Sequence, residues 1–174
     1  MKKISALAVG LAMFFAATAT PNPSNELSKL LIPATAKMVV AEKVSSTVRS
    51  AFAQKFKAVS NVSWKAGEEL YFVQFLQSNQ FFTAVFSTDG EYVALSREIS
   101  TKDLPLKVAN ALKENYADHQ LSAVATEIVM DGETAYYITA ENDRFSKILK
   151  CGTEGSLSVF KKTKKKVLVG SIKF

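Results

Sequence analysis

A helical pattern followed by a set of strand patterns occurs twice in this chain, in the same order, and no other feature of the sequence restricts its fold as strongly. Val48-x-x-Ala51-Phe52-x-x-x-Phe56 returns sixty residues later as Val108-x-x-Ala111-Leu112-x-x-x-Tyr116. Gly67-Glu68, Tyr71-x-Val73 and Asp89-Gly90 return sixty-five residues later as Gly132-Glu133, Tyr136-x-Ile138 and Glu154-Gly155. The five extra residues fall between Tyr116 and Val129, where a loop absorbs an insertion at little entropic cost. Apolar residues at i, i+3, i+4 and i+8 form one stripe of a helix. One unit of helix plus strands, used twice, is the expectation.

In the first unit the helix starts at Ser45 or Ser46, since either hydroxyl can accept an orphan backbone N–H. Four strands follow, carrying Val62 and Trp64, then Tyr71, Val73 and Phe75, then Phe82, Ala84 and Phe86, then Tyr92, Val93 and Leu95. Turn residues at Ala66-Gly67-Glu68, Ser78-Asn79 and Thr88-Asp89-Gly90 separate them, and such short connections impose antiparallel pairing. In the second unit Asp103 and Pro105 mark the helix start, because proline is harmless where no intrahelical donor is required. Strands are predicted over about 121–130, 134–141, 144–151 and 156–161. One more is predicted within 167–174, where Gly170 weakens the pattern. The expected class is α+β, as two tandem units that each combine a helix with a four-stranded antiparallel sheet. The expected boundaries are 44–100 and 101–161, preceded by a tether over 20–43 and followed by a basic tail over 162–174.

Lys2 and Lys3 precede an apolar run from Ile4 to Ala17 and the small residues Ala17-Thr18-Ala19. That is the pattern of a secretory signal over 1–19 rather than of a membrane span. The expected product is an exported protein beginning near Thr20, periplasmic or extracellular, and not integral to the membrane. No cysteine lies near that junction to carry a lipid. Cys151 is the only cysteine of the chain, so an intramolecular disulfide is impossible and the thiol is expected as a small buried hydrophobe.

Charge is concentrated at the C-terminal end. From Arg144 to Phe174 there are nine Lys and Arg against one acidic residue, with Lys161, Lys162, Lys164, Lys165 and Lys166 forming a run. Two readings stand. The run is a docking site for an acidic partner or an anionic envelope surface, or it is a solvated edge whose lysines discourage sheet-to-sheet association. Nucleic acid is not expected as a partner, because export removes it and no aromatic residue interleaves the run.

The catalytic inventory is thin. His119 is the only histidine, which excludes two-histidine zinc motifs. No Gly-x-Ser-x-Gly elbow supports a nucleophilic serine, and phosphate-cradling glycine loops and calcium-loop spacings are absent. His119 is expected as an exposed or capping residue of the turn after the second helix. Glu68-Glu69 and Glu141-x-Asp143 fall at hairpin turns, where acidic residues are ordinary. No enzyme, cofactor or metal is expected.

Aromatic residues crowd the first unit on both strand faces. Trp64, Tyr71, Phe75, Phe82 and Phe86 share the phase expected under the helix, while Phe72 and Phe81 occupy the other, with Tyr137 the repeat counterpart of Phe72. That second face either presents its rings to a partner, as interface centres do, or is covered by the N-terminal segment or the other unit. The candidate partner-binding residues are Phe72, Phe81, Tyr137, Lys162, Lys164 and Lys165.

Val48 to Phe56, Val62-Ser63-Trp64, Tyr71-x-Val73-x-Phe75, Phe86-Ser87-Thr88-Asp89-Gly90, Leu104-Pro105-x-x-Val108 and Tyr116 together resemble the PepSY-like, β-lactamase-inhibitor-protein-like family of exported bacterial proteins. The resemblance covers about residues 44–161. It implies helices packed on one face of an antiparallel sheet, with two units in tandem. Its inhibitor members grip an enzyme with the concave sheet face and its loops, and PepSY domains are associated with restraint of peptidases. The shared residues are core and turn positions, so no inhibitory residue carries over. The functional expectation is a non-catalytic module that binds another envelope or secreted protein, inhibition being one form of such binding. The alternative is a binder of a small ligand or anionic envelope component, through a helix–sheet cavity or the lysine-rich end.

Overall fold

The computed structural model describes residues 36–165. The signal over 1–19, most of the tether and the strand expected within 167–174 lie outside the described residues. The elements are strands β1 (Lys37–Val39), β2 (Ser60–Ala66), β3 (Leu70–Gln77), β4 (Gln80–Ser87), β5 (Tyr92–Ser100), β6 (Gln120–Met130), β7 (Glu133–Glu141), β8 (Phe145–Gly152) and β9 (Leu157–Lys164), with helices α1 (Ser46–Lys55) and α2 (Leu106–Asn115).

Local chemistry accounts for the element ends. The Ser45 hydroxyl accepts the Val48 N–H at 3.2 Å and caps α1. Pro105 stands at the start of α2, where its missing N–H costs nothing. The β3–β4 turn has both central residues left-handed, Ser78 at φ 50° and Asn79 at φ 62°. Asp131 at φ 52° and Gly132 at φ 79° do the same between β6 and β7. That is the backbone whose twist matches the flanking strands of a tight hairpin.

The expectation of two separate four-stranded sheets is corrected by the pairing. Among the described residues nine strands form one antiparallel sheet in sequential order, β1 to β9. The join lies between β5 and β6, paired without interruption from Ala94↔Met130 to Ser100↔Val124. Two separate sheets would each leave an additional row of unpaired N–H and C=O groups at this point. The segment carrying α2 folds back over the sheet, so β6 satisfies β5 directly. A ninth strand also comes from the region expected as tether, because β1 pairs with β2 through Lys37↔Ala66, Met38↔Lys65 and Val39↔Trp64.

One row of cross-strand partners runs from β3 to β8: Phe75, Phe82, Arg97, Glu127, Tyr136 and Cys151. Directly opposed residues share a face, and the two ends of this row lie in the two helix-covered cores. Val48 and Phe52 of α1 pack with Trp64, Val73, Phe75, Ala84 and Phe86. Val108 and Leu112 of α2 pack with Ala125, Ile138, Leu149 and Cys151. Both helices therefore lie on the same face. A third cluster, Phe72, Val85, Ala94, Ile128 and Tyr137, occupies the opposite face.

Candidate binding faces of the sheet

Among the described residues no helix covers the face opposite α1 and α2, and its two halves differ. Toward the Ser87 and Met130 ends of the strands lies the third cluster, in which Phe72 is 2% and Tyr137 4% exposed. Phe160 joins it from β9, its ring edge-on to Tyr137 at 5.4 Å. The rings of Phe72 and Tyr137 thus belong to a core in this structure. The other half is open. Phe81 is 53% exposed, and Gln74, Glu98 and Val124 in the same strand phase are exposed as well. Of the three aromatic residues that sequence reasoning placed on this face, Phe81 is the one at the surface.

The lysine run is structural at its start. Lys161, Lys162 and Lys164 are exposed residues of β9, which among the described residues stands at the end of the strand order. The Lys162 ammonium lies 3.9 Å from the centre of the Phe145 ring, and Lys165 Nζ is 2.8 Å from Glu141 Oε2. That contact, followed by a hydrogen bond from Ser146, holds the Glu141 carboxyl below the usual range. These positions suit an edge strand guarded by charge. They also set Lys162, Lys164 and Lys165 well apart from Phe81, which lies on β4.

On the helix side, the seam between the two cores is polar. Arg97 Nε donates to Glu127 Oε2, and Arg97 also donates to Gln80 Oε1 at 3.1 Å. The Glu127 side chain is 14% exposed. A cavity of about 540 Å³ opens here, lined in part by Gln80, Arg97, Asp103, Glu127 and Tyr136. Burial and then Glu127 raise the Tyr136 hydroxyl above its ordinary value. Sequence reasoning missed this group. The signal was present, because Arg97 shares the phase of Leu95 and Ile99, and Glu127 that of Ala125 and Val129, so each is a charge at an inward position.

Of the two roles expected for His119, exposed or capping, the exposed one is corrected. Its side chain is 7% exposed, and its ring meets Tyr116 edge-on at 5.0 Å. Nδ1 lies 2.7 Å from Asp118 Oδ1, while Nε2 lies 3.1 Å from Lys147 Nζ and 3.2 Å from Asn142 Nδ2. Both of the latter groups are donors, so Nε2 accepts and Nδ1 carries the proton. The hydrogen bond with His119 holds the Asp118 carboxyl low. The histidine thus ties the end of the α2 segment to the β7–β8 hairpin. Cys151 is fully buried, and burial pushes its thiol up to about 11, which starves it of reactive thiolate. Among the described residues no group of three His, Cys, Asp or Glu could hold a metal ion. No helix among them is long and apolar enough to cross a membrane.

Solved structures share this architecture at low identity. A BLIP-like protein of Bacteroides fragilis is 16% identical, with a TM-score of 0.59 over 75% of this chain and 91% of its own. A DUF2874 family protein of Bacteroides ovatus is 18% identical, with a TM-score of 0.60 over 68% and 86%. A Bacteroides eggerthii protein assigned to the periplasm is 15% identical, with a TM-score of 0.60 over 70% and 88%. These likenesses establish a BLIP-like fold, while the PepSY half of the sequence resemblance is not shown. No family model matches the chain, and no curated protein matches it.

Proposed function

We propose that this chain is an exported, non-catalytic binding module that grips another envelope or secreted protein through the open half of its helix-free sheet face. One observation carries the reading: both helices sit on one face, and the opposite face presents Phe81 and Val124 to solvent beside Gln74 and Glu98. An exposed ring with apolar and polar neighbours on a rigid sheet is the make-up of an interface centre. The BLIP-like fold neighbours and the periplasmic one support the same reading, as does the signal pattern that ends at Ala19. The PepSY-like resemblance adds restraint of a peptidase as one form the binding takes.

The test is capture of the partner from a native envelope extract, with Phe81→Ser/Val124→Ser compared against the parent. Both side chains are exposed, so the double variant should keep its thermal midpoint. It should lose the partner. A folded variant that captures the same proteins with undiminished affinity overturns the reading.

A further inference from the structure

On the helix-free face, at the end away from Phe81, a second cavity of about 360 Å³ opens beside the third cluster. Its apolar wall includes Ile128, Met130 and Ala135, and its polar lining includes Tyr137, Lys150 and Ser158. The volume falls within the range of small-molecule sites, roughly 300–1,000 Å³. Two features of the lining are unspent. The Tyr137 hydroxyl is buried with no hydrogen-bond partner, the one such side-chain atom found among the described residues. Lys150, directly opposed to Tyr137 across β7 and β8, has no ion-pair partner among the described residues.

We propose that this cavity binds a small carboxylate with an apolar body, its head group meeting the Tyr137 hydroxyl and the Lys150 ammonium and its body lying along Ile128, Met130 and Ala135. An orphaned buried hydroxyl costs stability that a phenylalanine would not, so a tyrosine at this position calls for a partner. Burial pushes this hydroxyl up to about 12, which keeps it a donor at neutral pH. A donor and a cation side by side select an anionic acceptor, and the charge-assisted contact is the strong kind. The only carboxylate among the described lining residues, Glu133, stands four residues from Tyr137 along β7. At about 3.3 Å per residue that sets the two α-carbons roughly 13 Å apart. Its repulsion therefore falls beyond an apolar body, and it orients the carboxylate toward Lys150.

The experiment titrates the purified protein with octanoate, 1-octanol and octylamine, following the amide resonances of β7 and β8. No partner protein is present, so its outcome is independent of the binding face centred on Phe81. Octanoate should bind saturably and about tenfold more tightly than 1-octanol, and octylamine more weakly still. Tyr137→Phe and Lys150→Met should each bring octanoate down to the level of 1-octanol, and Tyr137→Phe should hold or raise the thermal midpoint. Equal affinity for octanoate and 1-octanol in the parent overturns the proposal. So does octanoate binding unchanged in a folded variant, or saturable binding by none of the three. The comparison within the parent protein decides the matter even if a variant fails to fold.

Discussion

Gly155, in the hairpin between β8 and β9, stands directly against the Lys107 carbonyl in the first turn of α2, where an added β-carbon would lie 2.9 Å from that oxygen. Gly90, between β4 and β5, meets Thr47 in the first turn of α1 in the same way, with a β-carbon 3.3 Å from the Thr47 carbonyl carbon and oxygen and 2.9 Å from its side-chain methyl. Each hairpin is therefore seated under a helix start by a glycine that is both left-handed and without room for a side chain. Gly132 has a similar φ of +79° but nothing within 4 Å of its missing β-carbon. The three positions separate backbone strain from steric exclusion. Gly132→Ala should cost about 1–2 kcal/mol, the left-handed penalty alone. Gly155→Ala should cost more, because a backbone carbonyl must also move. Equal losses in denaturant melts would show that the contact with Lys107 is yielding.

The helix stripes and the continuous sheet make a joint prediction. Phe52 meets Trp64 and Phe75 at 5.3 Å each, and Leu112 is buried in the α2 core. Phe52→Ala and Leu112→Ala should each destabilise by roughly 2–5 kcal/mol. Because β5 and β6 are fully paired, each variant should lower one shared unfolding transition. Two transitions, each sensitive to only one of the variants, would show that the halves unfold separately.

Arg97 and Glu127 offer a double-mutant test. Removing the arginine leaves a carboxylate that is 14% exposed without its main partner, and a buried acceptor so stranded is costly. Arg97→Met alone should cost about 1–2 kcal/mol, at the low end because the Arg97 side chain is itself 37% exposed and screened. Arg97→Met/Glu127→Met should recover much of that loss. Additive costs for the two single changes would mean that the pair is not coupled.

Stability should fall in alkali for a reason located chiefly in two side chains. The Cys151 thiol is raised from 9.0 to about 11, and the Tyr137 hydroxyl from 10.0 to about 12, both chiefly by burial. Each group is neutral when protonated, and its folded value lies above its unfolded one, so the folded state holds the proton longer. Its contribution is complete below the unfolded value and is lost as pH rises through the folded value. Thermal midpoints should hold up to about pH 9 and decline between about pH 9 and 12. Cys151→Ala/Tyr137→Phe should flatten that decline, and an unaltered slope would place its origin elsewhere.

Much of the local structure was legible because it depends on near neighbours. The hydroxyl at Ser45, proline at 105, Asp131-Gly132 and the stripes through Phe52 and Leu112 each act within a few residues, and the elements begin, end and turn where those residues dictate. The single sheet was not legible. Hydrogen bonding between β5 and β6 uses backbone groups that every residue carries, so side-chain patterning says that both are strands and leaves open whether they are neighbours. The same holds for the site. Alternation placed Phe72, Phe81 and Tyr137 on one face, but only the packed structure, with Val85, Ala94, Ile128 and Phe160 gathered around two of them, decided that Phe72 and Tyr137 are buried and Phe81 is exposed. Exposure is a property of everything that surrounds a side chain, and strand phase supplies only the direction in which it points.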